Sequence, residues 1–226
     1  MKIDELNMLQ NKLPDTPGIN GKDEYFNSVV LLLLIPKHDE YHIVFEKRSL
    51  NMRQGGEICL PGGKYEKETD VSLEIAALRE TYEELGIPDN RIEILGRLDT
   101  VIAPMGATID VFLGVSDIAL SEITINPAEV EKVFTLPVSY FEENIPEEYK
   151  IMIELHPSYI DKKTNQNVVL LPAEELGLPE RYRVPWGDFK HKIYAYKTTE
   201  GVIWGITARI ILDFINKLKD RDIKSK

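Results

Sequence analysis

Cysteine is almost absent from this chain of 226 residues: Cys59 is the only one. No intrachain disulfide can form, so the fold must be held by its core. A lone thiol could act as a nucleophile beside one of the four histidines, but Cys59 lies in an apolar segment, where thiols ordinarily pack and stay inert. The histidines (His38, His42, His156 and His191) show no paired ligand spacing, and no zinc site is expected. Long apolar runs are lacking too. The longest, residues 29–35, has seven residues, whereas a membrane span needs about 20. No basic, then apolar, then small-residue leader opens the sequence, so a cytoplasmic protein with no membrane partner is the expectation. Positive charge is in the minority, 27 basic against 38 acidic residues for a net charge of −11. Nucleic-acid binding, which calls for a basic surface, is therefore not expected. A phosphorylated small molecule remains open, because a metal ion and a few local cations can receive it. Repeats and low-complexity tracts are also missing.

What the chain does have is a crowded acidic stretch. Residues 79–87 read Arg-Glu-Thr-Tyr-Glu-Glu-Leu-Gly-Ile. An α-helix turns about 100° per residue, which puts Glu80, Glu83 and Glu84 on one face. Like charges at that spacing repel by several tenths of a kcal/mol, so a purely structural helix would gain by alternating their signs. A hard divalent cation, Mg²⁺ or Mn²⁺, held by carboxylate oxygens accounts for the pattern. A solvated acidic face is the competing reading, and the neighbouring residues weigh against it. Upstream, Leu60-Pro61-Gly62-Gly63 is a turn signal closing a short apolar run. Downstream, Gly86 and Pro88 stand where a helix C-cap and stop belong. Leu73, Ala77, Leu78, Leu85 and Tyr82 recur at helical spacing as a core face.

This order resembles the Nudix box, which runs Gly, five residues, Glu, seven residues, Arg-Glu, an aliphatic, any residue, Glu-Glu, any residue, Gly, aliphatic. Gly63, Arg79, Glu80, Glu83, Glu84, Gly86 and Ile87 match it. The stretch from Gly63 to Arg79 is two residues longer than the pattern, and Thr81 takes the aliphatic position. Asp70 stands in for the first Glu, with Glu66 and Glu68 as rivals. Residues 46–63 are similar to the segment that marks the coenzyme A diphosphatase branch of the family, with Arg48, Ser49, Arg53 and Gly56 in its positions and Leu60 replacing its Phe. Residues 95–99, 126–137 and 204–209 also resemble that branch.

The resemblance implies an α/β (α+β) architecture: a helix–sheet–helix sandwich with a mixed β-sheet and the box helix against one face. Residues 1–24 are expected to form an N-terminal helix (4–13) and linker. Residues 25–226 are expected to form a single domain carrying an insertion at about 142–190, with a hairpin pairing 151–155 against 168–171. Buried on both faces, 29–35 reads as a strand, and 41–46 returns from a turn at 37–40. Residues 193–196 and 202–204 bracket a further turn, and 206–218 reads as an amphipathic helix. Trp204 and Thr207 are read as core.

Helical spacing makes Glu80 and Glu84 the primary metal ligands. Glu83 is a third ligand, a ligand of a second ion, or the general base. The resemblance adds the Gly63 carbonyl. Arg79 could bind phosphate, but the family pattern implies a brace that pairs with Asp70 and aims the glutamates. Arg48 and Arg53 are candidates for substrate phosphates. Glu129 is either an alternative base or a residue that favours a helix start. The reaction implied is metal-dependent hydrolysis of the diphosphate in coenzyme A or acyl-CoA, giving 3′,5′-ADP and (acyl-)4′-phosphopantetheine. Two other readings stand beside it: a Nudix pyrophosphatase for ADP-ribose, a dinucleotide or a nucleoside triphosphate, and a non-catalytic nucleotide-sensing module. The partner is a small nucleoside diphosphate derivative, and a homodimer is left open.

Overall fold

The computed structural model describes residues 12–224, with side chains through 219. The helix expected at 4–13 falls almost wholly outside them. The chain divides into two compact units, Met1–Val138 and Ser139–Lys226.

The first unit is built on a mixed sheet, as expected. Strand β1 (Phe26–Lys37) runs through its centre. The apolar run inside β1 is buried from Leu31 to Ile35 without alternation, which is how a strand covered on both faces reads. A two-residue turn returns the chain into β2 (Glu40–Arg48). His38 and Asp39 both have positive φ there, 52° and 64°, the geometry that matches hairpin twist. Next come two short strands, β3 (Ile58–Cys59) and β4 (Gly62–Lys64), then helix α1 (Leu73–Leu85). Beyond it lie β5 (Glu93–Arg97), β6 (Val101–Ala103), β7 (Ala107–Val115) and β8 (Val130–Pro137). β1 pairs parallel with β7, and the remaining ladders of this sheet are antiparallel.

Helix α1 begins and ends on local signals. The Ser72 side chain accepts from the Ile75 N–H at its start. Gly86, at φ 67°, closes its end with its N–H on the Tyr82 carbonyl. The helix packs Ala76, Ala77, Leu78 and Leu85 against Val29, Leu31, Leu33, Ile35 and Val44. Each large apolar side chain buried this way contributes roughly 1.5–3 kcal/mol. Tyr82 does not join this face: it is 58% exposed, and Thr81 is buried in its place with its hydroxyl on the Ala77 carbonyl. That bond makes a small polar residue tolerable in the helix interior.

The feature that positions the site is a wedge. β1 and β2 pair only near their shared turn, from Leu34↔Ile43 to Lys37↔Glu40. Farther along they part. β3 fills the gap on the β2 side (Glu46↔Cys59, Lys47↔Ile58) and β4 on the β1 side (Ser28↔Lys64 to Val30↔Gly62). The Leu31 N–H donates to the Pro61 carbonyl between them. The expected glycine turn is thus a strand in its own right. Gly62 is required there: its φ is 151°, and a Cβ would lie 2.2 Å from the Val29 carbonyl oxygen.

The second unit opens with a short helix, α2 (Val138–Glu143), that starts at its boundary. It continues through β9 (Glu147–Leu155), β10 (Ser158–Ile160), β11 (Asn167–Val169), β12 (Trp186–Thr198), β13 (Gly201–Trp204) and α3 (Gly205–Lys224). The expected pairing of 151–155 with 168–171 is not formed. β9 pairs with the distant β12, and β10 with β11. Within the stretch expected as an insertion, β9 completes a sheet of order β13-β12-β9. α3 buries Ile210, Ile211, Phe214 and Ile215. Trp204, read as core, is 46% exposed: strand alternation turns its neighbour Ile203 inward instead. Among the described residues no helix is long and apolar enough to cross a membrane.

Candidate active site

Alternation along β2 places Glu46 and Arg48 on the face of Val44, the face covered by α1. Cys59 is Glu46's partner on β3, and Val133 its partner on β8. The wedge brings Gly62 and Gly63 beneath α1, and the helix presents Glu80 and Glu84 to them. The Gly62 N–H donates to Glu84 Oε2 at 2.8 Å. Gly63 lies so close to Glu80 that a Cβ would fall 2.3 Å from Glu80 Oε2.

Arg79 organises the opposite side. Its Nε donates to Asp70 Oδ1 and its Nη2 to Asp70 Oδ2, both at 2.9 Å. Nη2 also reaches the Lys64 carbonyl at 3.1 Å, and Nη1 reaches Glu80 Oε1 at 2.9 Å and Glu83 Oε2 at 3.1 Å. All the N–H groups a guanidinium has are engaged within the protein. The partner of Arg79 is therefore Asp70, with neither Glu66 nor Glu68 involved. Asp70 takes a further bond from the Glu66 N–H. The Arg79 hydrogen bonds hold its carboxyl below the usual aspartate range, against the opposing effect of burial.

The three glutamates sit in unlike surroundings. Glu84 is 2% exposed, and its pKa is pushed up by burial and then by the charge of Glu46. Glu80 is also raised by burial, with Arg79 opposing. The Glu83 side chain is 49% exposed and leans on Arg79. Glu129, just before β8, is set by the loop that clips to the end of α1: the Asn126 N–H donates to the Glu84 carbonyl, and Asn126 Nδ2 to Glu129 Oε1. The charge of Glu129 bears on both Glu46 and Glu80. Arg48 is half-buried beside Cys59, Glu46 and Glu84, with its Nε on the Arg53 carbonyl at 3.3 Å. The Arg53 side chain is exposed on the β2–β3 loop.

More than half of the chain, residues 25–155, matches the family model described as the NUDIX domain. The chain belongs to the Nudix family. This makes it a pyrophosphohydrolase by class. Among curated proteins it is similar to an uncharacterized Nudix hydrolase, NudL, of Photorhabdus laumondii, at 28% identity over 92% of each chain. It is also similar to Nudix hydrolase 3 of Caenorhabditis elegans, at 35% identity over 48% of this chain and 46% of that one. Among solved structures it resembles the Nudix domain of Shewanella oneidensis NrtR complexed with ADP ribose, at 23% identity and a TM-score of 0.43, covering 60% of this chain and 84% of that one.

Nudix enzymes generally use divalent metal ions. The donors here fit one: carboxylate oxygens from α1, glycines that leave room beside them, and a buried carboxyl oxygen, Glu46 Oε2, with no hydrogen-bond partner. The seat is not ready-made. Among the described residues no three His, Cys, Asp or Glu side chains are gathered closely enough to hold an ion as they stand. Glu80 leans toward Arg79, and Glu84 is held on the Gly62 N–H.

A buried carboxylate that helical spacing does not reveal, Glu46, ends the strand expected at 41–46. Its signal was a charge in the inward register of an apolar strand, two positions after Val44. Cys59, read as inert packing, donates its S–H to Glu46 Oε1 at 3.2 Å, and burial pushes the thiol pKa well up. A surface depression of about 480 Å³ lined by Pro36, Tyr41, Arg91 and Ser116 includes none of the expected site residues.

Proposed function

We propose that this Nudix enzyme hydrolyses the diphosphate of coenzyme A or acyl-CoA with Mg²⁺ or Mn²⁺, releasing 3′,5′-ADP and (acyl-)4′-phosphopantetheine. The observation that carries the catalytic part is the saturation of Arg79. A guanidinium with every donor engaged inside the protein braces the helix and does not grip substrate. The glutamates it steadies are thereby left for the metal. Glu80, Glu84 and the Gly63 carbonyl would hold the ion, with Glu83 at its exposed margin. Bound there, the cation would offset the charge of the phosphate oxygens and make hydroxide available near neutral pH.

Glu129 is the general base in this reading. Its charge bears on Glu80 and Glu46, while Glu83 is half-exposed and tied to Arg79. It would take the proton of the attacking water. Arg53, exposed on the loop, would meet the substrate phosphates, and Arg48 would counter the buried carboxylates beneath it. The coenzyme A assignment is supported by the order of residues 46–63.

The test is a substrate panel of coenzyme A, ADP-ribose, NADH, diadenosine polyphosphates and nucleoside triphosphates with Mg²⁺ or Mn²⁺. Coenzyme A is expected to be cleaved fastest, and Glu84→Gln to abolish that cleavage. A clear preference for ADP-ribose or another panel member overturns the substrate. Binding with no turnover of any compound overturns catalysis in favour of a sensor.

A further inference from the structure

Two carboxylates are sealed beneath α1, and only one belongs to the Nudix box. Glu84 is satisfied by the Gly62 N–H. Glu46, from β2, is not. It is 0% exposed, its Oε1 receives only the weak S–H of Cys59, and its Oε2 has no partner. A buried carboxyl oxygen left unpaired costs about 1–3 kcal/mol, more if charged, and native proteins rarely keep one without a use. Its position excludes a surface role. Strand alternation aims it toward α1, the wedge residue Cys59 flanks it, and the charges of Glu84, Glu80 and Glu129 all reach that locality.

We infer that Glu46 is an additional ligand of the divalent cation, its Oε2 completing from the strand side a seat that Glu80 and Glu84 begin from the helix side. The inference rests on the metal-dependent reading above. Oxygen donors from a strand and a helix, held apart by a packed core, suit a small hard cation that demands several oxygens in fixed directions. Cys59 acts as an orienting donor: by occupying Oε1 it leaves Oε2 as the free oxygen. Arg48, on the same face of β2, limits the local excess of negative charge before the cation arrives.

Mn²⁺ binding to the full-length protein, measured by electron paramagnetic resonance with no substrate present, tests this apart from activity. Glu46→Gln is expected to weaken Mn²⁺ affinity roughly tenfold or more. Glu46→Asp keeps the charge but withdraws it by one methylene, and is expected to fall between Glu46→Gln and wild type. Metal-free thermal melts accompany the series. Glu46→Gln should melt no lower than wild type, because it keeps the shape of the side chain and leaves no charge to bury. Should that variant melt low, the Glu46→Asp affinity decides. Wild-type affinity in the variants overturns the role of Glu46, and if Glu84→Gln weakens binding in the same experiment the broader reading survives. Absence of saturable Mn²⁺ binding in wild type overturns both.

Discussion

At the scale of single residues, Arg79 shows how charge is put to positional use. Its fork takes Asp70 in two parallel bonds while its remaining N–H groups hold Glu80, Glu83 and the Lys64 carbonyl. A lysine at this position has three donors at a single point and cannot span these acceptors. Arg79→Lys is therefore expected to lower kcat about 10- to 100-fold with little change in KM, since it loosens ligand geometry without touching substrate. Steady-state kinetics check this, and a wild-type kcat would contradict the brace. The sequence made Arg79 and the α1 glutamates visible because ligand spacing on a helix is periodic. It concealed Glu46, because one carboxylate at the end of an apolar strand carries no such period and its burial depends on neighbours distant in the chain. The same limit explains Tyr82 and Trp204. Each sits one position from the residue that is buried, and apolar character alone does not say which of two neighbours points inward.

Among elements, the wedge of β3 and β4 lets two adjacent glycines be told apart. A Cβ at Gly62 would strike the Val29 carbonyl and the Val30 Cα, both backbone atoms that cannot move aside. A Cβ at Gly63 would strike the carboxylate end of Glu80, which can swing away. Gly62→Ala is expected to cost roughly 2–4 kcal/mol of stability, through strain and overpacking. Gly63→Ala is expected to keep nearly the wild-type denaturation midpoint yet lose about tenfold or more in kcat, because Glu80 is displaced. Paired urea titrations and rate measurements separate the two, and identical behaviour would refute the distinction. Elements whose partners are near in sequence were legible: the 37–40 hairpin, capped α1, and the β12–β13 turn at Thr198↔Gly201. The β9–β12 ladder was not. It joins strands separated by some thirty residues, and nothing local distinguishes it from the nearer pairing expected for 151–155.

On the scale of the molecule, a buried aspartate on β7 ties the first unit together. Asp110 on β7 receives Lys22, Arg97 and Thr100. Burial draws its pKa upward, but hydrogen bonds from Thr100 and Lys22 and the charges of Lys22 and Arg97 outweigh it, leaving it below the ordinary aspartate value of 3.8. With the folded value lowered, the unfolded chain takes up the proton first. The stabilisation is complete above about pH 4 and drains as pH falls through the folded value. Asp110→Asn is expected to lose about 1–3 kcal/mol at pH 7, discounted because both cations are partly exposed, and to flatten the acid limb of stability against pH. Urea midpoints at pH 7 and pH 3 check this, and equal acid slopes for variant and wild type would contradict it. The parting of β1 from β2 has a final implication for wear. The inserted segment repairs the central ladder with the same glycines that lie against Glu80 and Glu84, so heat that opens the ladder also scatters those carboxylates. On warming, turnover should therefore be lost no later than the first unit's own unfolding, with no stage at which that sheet has opened and activity survives.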